Sequence, residues 1–280
     1  GRLFREVVKV GREFFPGVQA ELWAWWWTDE DHRAFSAWAD REAPGEFASV
    51  AFHLPYGRDA YDLRPIPKGS SERAFVHISY GEASGQDAYG HYGPPIAPRR
   101  LERTVAFLRS RRAAGYLAYS EGVYDEINKA VLAGLSSGRF ASADDVLRAY
   151  AERHLGGDAA GWAEFMAALG DFFTIDIAKA RRLYDRLASS ARPSWRLAQL
   201  AERLNLAEAD AAVRARTEWD ADRLAAARAF LDAKERLYRP IWGLGLGRHI
   251  FQFEGKMPPW YSEYLTVCRP LARRAQADFH

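Results

Sequence analysis

Two glutamates follow short apolar segments in the first half of the chain. Glu82 ends the stretch HISYGE and Glu121 lies in AYSEG, each two residues after a tyrosine. A pair of carboxyl groups flanked by aromatic rings suits hydrolysis of a glycosidic bond, in which one protonates the leaving oxygen and the other attacks the sugar or activates water. Glu82 and Glu121 are therefore candidates for direct chemistry on a carbohydrate.

Glu121 permits three interpretations. A helical pattern begins just behind it, so its charge could stabilise the N-terminus of that helix. It could also bind a sugar hydroxyl, or it could transfer a proton. No helical pattern begins directly behind Glu82, which weakens the purely structural interpretation there. Glu82 is therefore the better candidate for catalysis, and Glu121 is the better candidate for holding the sugar.

Four strand-like segments position these residues. They are VQAELWAWWW (residues 18–27), FASVAFHLP (47–55), ERAFVHISYGE (72–82) and GYLAYSEG (115–122). Helical patterns separate most of them, and alternation of strands with helices indicates parallel strands in βα units. A loop rich in Gly, Pro and Asp joins the second segment to the third. Thr28, with Asp31 three residues later, is a predicted N-cap for the helix after the first strand.

The carboxyl ends of parallel strands meet at one edge of a sheet, where ligands bind. Each of the four predicted ends delivers aromatic and polar side chains to that edge. The candidate substrate-binding residues are Trp25, Trp27, Asp29, His53, Tyr56, His77, Tyr80, Tyr119 and Asp125. Strand alternation would place Trp23, Trp25 and Trp27 on one side of the sheet and Trp26 on the other.

No metal and no cofactor are expected. His53, His77 and His91 lack the spacing of a metal motif such as HExxH, and a histidine inside a strand is more often hydrogen-bonded packing than a ligand. The stretch GLGLG (residues 243–247) lacks the GxGxxG spacing of a dinucleotide loop and has no strand before it.

After Gly138 the pattern becomes helical. Ser142 is the predicted N-cap of a helix that ends at Gly156 and Gly157. A long apolar helical stretch then runs toward Pro193. We therefore expect an α/β domain over residues 1–138 and an α-helical domain over residues 139–280.

Charge and hydropathy exclude two classes of partner. The chain has 39 basic and 37 acidic residues, and its net charge of +2 provides no strong field for nucleic acid or for an anionic membrane surface. No apolar run is long enough for a membrane span. No signal peptide is visible, so a cytoplasmic location and secretion after loss of an N-terminal segment both stay open.

Three stretches carry a family resemblance: ELWAWWWTDED, HISYGE, and GYLAYSEGVYDEINKAVL followed by DDVLRAYAERHLG. From about Val18 to Gly156 the chain resembles the C-terminal part of bacterial (β/α)8-barrel proteins related to glycoside hydrolases. The resemblance implies strands five to eight of a TIM-like barrel, followed by a helical domain. Glu82 would fall on the seventh strand, where retaining barrel glycosidases commonly carry the nucleophile, and Glu121 on the eighth. The acid/base residue of the fourth strand would be missing.

We therefore expect a partial TIM-like barrel of about four βα units, followed by an all-α C-terminal domain, that hydrolyses a glycosidic bond at its strand ends. The alternative is a non-catalytic carbohydrate-binding or protein-interaction module on an incomplete barrel. A sugar isomerase or lyase is a third option, and it would need a metal. The expected partner is a carbohydrate, and a second chain or a second copy could complete the barrel.

Overall fold

The computed structural model describes residues 2–54, 58–78, 96–119, 125–170, 175–242 and 258–268. The chain forms two compact units. The first contains Gly1–Ile78 and Arg99–Ser120, and the second contains Ser79–Pro98 and Glu121–His280. Because a parallel sheet lies in the first unit and a series of helices in the second, the predicted mixed α/β class is confirmed.

The first unit contains the strands and their connecting helices. In chain order its elements are α1 (Arg2–Phe14), β1 (Ala20–Ala24), α2 (Asp29–Glu42), β2 (Phe47–Leu54), β3 (Ser71–His77), α3 (Pro98–Ser110) and β4 (Tyr116–Tyr119). The described strands pair in the order β1-β2-β3-β4, and every pair is parallel. The four predicted strands and their parallel pairing are confirmed. The described part of the β2–β3 connection, residues 58–70, contains no helix.

The start of α2 is determined by a capping box. The Asp31 backbone N–H donates to Thr28 Oγ1 at 3.2 Å, and the Thr28 backbone N–H donates to Asp31 Oδ2 at 2.8 Å. This reciprocal pair satisfies two backbone donors that a helix N-terminus otherwise leaves without partners. The N-cap predicted at Thr28 is confirmed, and it ends the connection after β1 within four residues.

One face of the sheet packs against α2. Leu22, Ala24 and Val50 of the sheet form a buried cluster with Phe35 and Ala39 of the helix. These two helical residues are four apart, so they share the apolar side of α2. Alternate residues of each strand point away from this cluster.

The opposite face, which we call the aromatic face, is covered by rings from β1 and β3 that meet across β2. The Trp23 and Phe75 ring centroids lie 5.0 Å apart, and Glu21 forms an ion pair with Arg73 at 3.2 Å. In the strand register, Ala51 of β2 lies between Trp23 and Arg73. Because Ala51 is small, the large side chains of the flanking strands can close over it.

A clamp of three residues holds the loop after β2 against the sheet. The Tyr61 hydroxyl donates to Glu72 Oε1 at 2.6 Å, and Arg111 donates to the two Glu72 oxygens at 2.8 and 3.2 Å. The Tyr61 ring also stacks on Phe52 with centroids 4.9 Å apart. Burial and the bond to Glu72 raise the pKa of Tyr61. We call this the Tyr61–Glu72–Arg111 clamp.

The second unit is helical. Its elements are α4 (Glu126–Ser136), α5 (Ala143–His154), α6 (Ala159–Leu169), α7 (Ile177–Leu187), a 3₁₀ turn (Ala188–Ser190), α8 (Trp195–Arg214) and α9 (Ala221–Trp242), and residues 261–268 are also helical. The predicted α5 is confirmed, because Ser142 caps it and because Gly156 and Gly157 beyond it have φ angles of 75° and 63°. α4 clusters with these helices, and the domain boundary at Gly138 stays a prediction.

The long helical stretch predicted to run toward Pro193 is two helices. α6 ends at Leu169, where Gly170 follows with a φ of 24°. α7 begins after Asp176, whose side chain accepts from the Lys179 backbone N–H at 3.0 Å. The sequence does not reveal this break, because the apolar residues on both sides of Gly170 keep the spacing of one continuous helix.

Two helical glycines provide a matched test of this packing. A methyl group on Gly134 in α4 would lie 2.8 Å from Val146 Cγ2, whereas a methyl group on Gly11 in α1 would lie 3.7 Å from Val18 Cγ1. We expect Gly134→Ala to lower the free energy of unfolding by about 1 kcal/mol or more through overpacking. Gly11→Ala is expected to raise it by about 0.5–1 kcal/mol, because Ala loses less backbone entropy in a helix. Urea unfolding followed by circular dichroism measures both, and equal effects would contradict the close approach of α4 and α5.

Candidate functional site

The strand ends bring four predicted side chains together on the aromatic face. The Trp25 ring centroid lies 5.5 Å from that of His53, 5.6 Å from His77 and 6.0 Å from Tyr119. His77 in turn lies 5.0 Å from Tyr119. Each of the four comes from a different strand or from the turn that follows it, so the parallel sheet assembles them at one edge. We call these four residues the strand-end cluster.

A hydrogen bond joins the two histidines of this cluster. The Nε2 atoms of His53 and His77 lie 2.9 Å apart, so one ring donates its proton and the other accepts it. Burial lowers the pKa of His53, and burial with the charges of His53 and Arg100 lowers the pKa of His77 to about 3. Both imidazoles are therefore neutral at pH 7, since two protonated rings at this contact would repel each other.

The chain turns sharply where β1 ends. Trp26 has a φ of 59°, in the left-handed region that bulky residues rarely adopt. Its indole is 70% exposed, and its ring lies 5.1 Å from that of His53. The turn leaves a large apolar ring in solvent next to the strand-end cluster.

Trp27 lies on the α2 side of the sheet, which corrects the strand alternation predicted for it. β1 ends at Ala24, so the alternation of side chains along the strand does not extend to Trp27. The left-handed conformation of Trp26 then turns the Trp27 side chain to the opposite side of the sheet. The Trp27 ring packs 5.3 Å from His32 and 5.1 Å from Phe35. Trp25 and Trp27 therefore do not share a side.

A pocket of about 310 Å³ opens at the carboxyl ends of β1 and β2. The two strand ends, the turn after β1 and the loop after β2 form its walls. The lining residues are Ala24, Trp26, Trp27, Phe52, His53, Arg58, Ala60, Tyr61, Asp62 and Arg64. His53 belongs to both the pocket and the strand-end cluster, so the hydrogen bond to His77 also orients a wall of the pocket.

The charged side chains of the pocket differ in their partners. Arg64 forms an ion pair with Asp29 at 2.6 Å and donates from Nη1 to the Trp27 carbonyl oxygen at 2.8 Å. Asp29, a predicted sugar-binding residue, thus has a protein partner. Within the part of the chain that the structure describes, Arg58 and Asp62 make no side-chain hydrogen bond or ion pair. They are the charged groups of this pocket that a ligand could engage.

Asp125 belongs to the helical unit. It lies at the N-terminus of α4, its side chain is fully buried, and it forms an ion pair with Lys129 at 2.7 Å. This pairing provides a structural role for the carboxylate, and its role in sugar binding stays a prediction.

Four predicted residues lie outside the described part of the chain. They are both candidate catalytic residues, Glu82 and Glu121, and the aromatic residues Tyr56 and Tyr80. Their roles stay predictions. His91 and the GLGLG stretch also lie outside it.

Sequence reasoning missed most of the pocket wall. Arg58, Tyr61, Asp62 and Arg64 lie in the loop after β2, which the sequence suggests only as a connection. Their position in the sequence could have identified them, because this loop follows the carboxyl end of a strand, as the predicted site segments do. For Trp26 no signal exists, since nothing in its residue type favours a left-handed turn.

Comparison of the chain with protein-family models, with curated proteins and with solved structures finds no match. Among the described residues, no group of three or more His, Cys, Asp or Glu side chains could hold a metal ion. No helix in the same residues is long and apolar enough to cross a membrane. The geometry defines a small pocket at the ends of parallel strands, lined by both aromatic and charged side chains.

The buried histidine pair makes stability depend on pH. Folding lowers the pKa of His77 from its ordinary 6.5 to about 3, so the unfolded chain binds more protons between these values. The free energy of unfolding therefore falls as the pH drops below 6.5, with a slope of up to about 1.4 kcal/mol per pH unit from this group. We expect His77→Gln to flatten the slope measured by urea unfolding between pH 7 and pH 5. An unchanged slope in His77→Gln would contradict a neutral buried pair.

Proposed function

We propose that this protein binds a carbohydrate in the pocket at the ends of β1 and β2 and that it hydrolyses a glycosidic bond. The observation that supports binding is the combination of aromatic rings with Arg58, Asp62 and His53 around one small pocket. Aromatic faces pack against the C–H groups of a sugar ring, and polar side chains bond its hydroxyls. The resemblance of the sequence to glycoside-hydrolase-related barrels points the same way.

The charges of the pocket favour a neutral polyol over an ion. A guanidinium only donates hydrogen bonds and a carboxylate only accepts them, whereas a hydroxyl does both. Arg58 and Asp62 therefore suit hydroxyl groups, while a ligand with a full charge would be repelled by one of the two. The volume of about 310 Å³ lies at the lower end of the range of roughly 300–1,000 Å³ for ligand pockets. It fits one sugar ring, with the rest of a longer saccharide outside.

The two glutamates have different roles in the proposal. Glu82 follows β3 and Glu121 follows β4 in the chain, and the last residues of these strands, His77 and Tyr119, belong to the strand-end cluster. Glu82 is proposed to act directly on the glycosidic bond, and Glu121 to hold a sugar hydroxyl. The alternative remains a protein that binds carbohydrate or another protein without catalysis.

We further propose that the four strands are half of a (β/α)8-type barrel. Three features support this: the parallel strand order, the aromatic face opposite α2, and exposed apolar side chains on α1 and on the edge strand β1. On α1 the residues Leu3, Val7, Val10 and Phe14 follow helical spacing, and all are exposed. Trp23 of β1 is 48% exposed. A further βα unit would cover both surfaces, and a second copy of the chain is the proposed source.

Substitution of the two glutamates tests the hydrolytic step. In the intact, active protein, Glu82→Gln is expected to lower kcat on a chromogenic glycoside by about 10²–10⁴-fold, because an amide can neither transfer a proton, a role that contributes this much, nor attack the sugar. Glu121→Gln is expected to raise KM and to weaken the quenching of tryptophan fluorescence by sugar. Glu30→Gln, exposed on α2, is the control.

The parent protein distinguishes the alternatives in the same assay. If both variants keep full activity on every glycoside that the parent cleaves, the assignment of the glutamates is wrong. Quenching by mono- and oligosaccharides without turnover of any glycoside would favour the non-catalytic binding module. Turnover that depends on bound metal would favour an isomerase or lyase.

Self-association tests the completion of the barrel. If a second copy covers α1 and the β1 edge, the protein sediments as a dimer, and Val7→Asp shifts it to a monomer by placing a charge in the apolar stripe. Lys9→Gln lies outside the stripe and changes the net charge by the same one unit, so it should leave the dimer intact. A wild-type protein that stays monomeric at all concentrations would contradict a second copy as the partner.

A further inference from the structure

Trp26 combines two features that oppose stability. Its φ of 59° brings the Cβ atom close to a backbone carbonyl oxygen, a conflict that Gly avoids and Asn tolerates. Its indole is 70% exposed and so gains little from burial. Backbone strain of this kind persists where surrounding contacts hold it, and it clusters at functional sites.

The described part of the chain contains one more non-glycine residue with a positive φ, and that one has a local explanation. Arg112 has a φ of 54° and follows the end of α3, where the Ala113 backbone N–H donates to the Leu108 carbonyl oxygen at 3.1 Å. This is the hydrogen bond that closes a helix C-terminus. Trp26 follows a strand, so helix termination does not explain its conformation.

Contacts on both sides hold Trp26 in place. Trp25 packs in the strand-end cluster and Trp27 packs against α2, on the opposite side of the sheet. Arg64 also bonds the Trp27 carbonyl oxygen at 2.8 Å. With both neighbours anchored, the backbone of Trp26 is held in this turn, and its ring lies at the wall of the pocket, 5.1 Å from the His53 ring.

We propose that Trp26 is a preformed stacking platform for a sugar ring at the mouth of the pocket. This inference rests on the proposed carbohydrate function and adds the ligand class. An indole face is electron-rich and flat, so it suits a pyranose with a continuous face of axial C–H groups, such as a β-glucosyl or β-xylosyl unit. The left-handed turn directs the ring out of the core, and the anchored neighbours remove the entropy cost of ordering its backbone on binding.

Two substitutions of Trp26 separate binding from stability. Trp26→Asn removes the ring and tolerates the left-handed conformation, so the dissociation constant for cellobiose should rise about tenfold or more. Its Tm should stay unchanged or rise by up to about 4 °C, because the strain is relieved. Trp26→Tyr keeps an aromatic face and should retain most of the affinity. Trp195→Asn, which removes an exposed indole from α8, should leave binding unchanged.

Calorimetry with cellobiose and xylobiose measures the affinity, and sorbitol is the control polyol without a ring. Saturation-transfer NMR should show the strongest transfer at the axial ring protons in the wild type and its loss in Trp26→Asn. Unchanged cellobiose affinity in Trp26→Asn would overturn the inference. So would a loss of binding in both Trp26 variants with a lowered Tm, which would indicate a structural role. If the wild type binds no saccharide, the proposed function itself fails.

Discussion

A parallel sheet has two faces to cover, and the first unit covers them by different means. On one face, α2 and the clamped loop supply apolar side chains. On the aromatic face, rings from neighbouring strands meet across the small side chain of Ala51. Because the rings of His, Trp and Tyr also carry polar edges, the packing that covers this face brings hydrogen-bonding groups to the strand ends. The same side chains therefore cover the second face of the sheet and form the strand-end cluster.

In the proposed function, the strand-end cluster and the loop after β2 make different kinds of contact with the ligand. The bonded pair of His53 and His77 is neutral at pH 7, so the cluster contributes shape and orientation rather than charge. The charged groups, Arg58 and Asp62, lie in the loop after β2. A pocket built this way keeps its charges near solvent, where desolvation costs least, and keeps a rigid neutral wall behind them.

The parts of the fold that depend on local patterns were predictable from the sequence. Apolar runs predicted the four parallel strands, and Thr28 and Ser142 predicted two helix starts, because a cap needs only a few neighbouring residues. The side on which Trp27 packs was not predictable, since it depends on one backbone angle at Trp26 that no residue preference indicates. The position of the pocket wall after a strand end was predictable, but its conformation was not, because contacts between residues distant in the sequence hold the loop in place. The convergence of Trp25, His53, His77 and Tyr119 followed from parallel pairing alone.

The Tyr61–Glu72–Arg111 clamp has a consequence for the order of folding. Glu72 is 11 residues from Tyr61 and 39 residues from Arg111. Arg111 reaches Glu72 only once α3 has formed and β3 is in place. Contacts between residues that are far apart in sequence form late, because closing the intervening chain costs entropy first. The Glu72–Arg111 contact spans the same connection as the pairing of β3 with β4, so it is completed together with the sheet. The loop carrying Arg58 and Asp62 therefore depends for part of its order on a residue that comes later in the chain than the whole pocket wall.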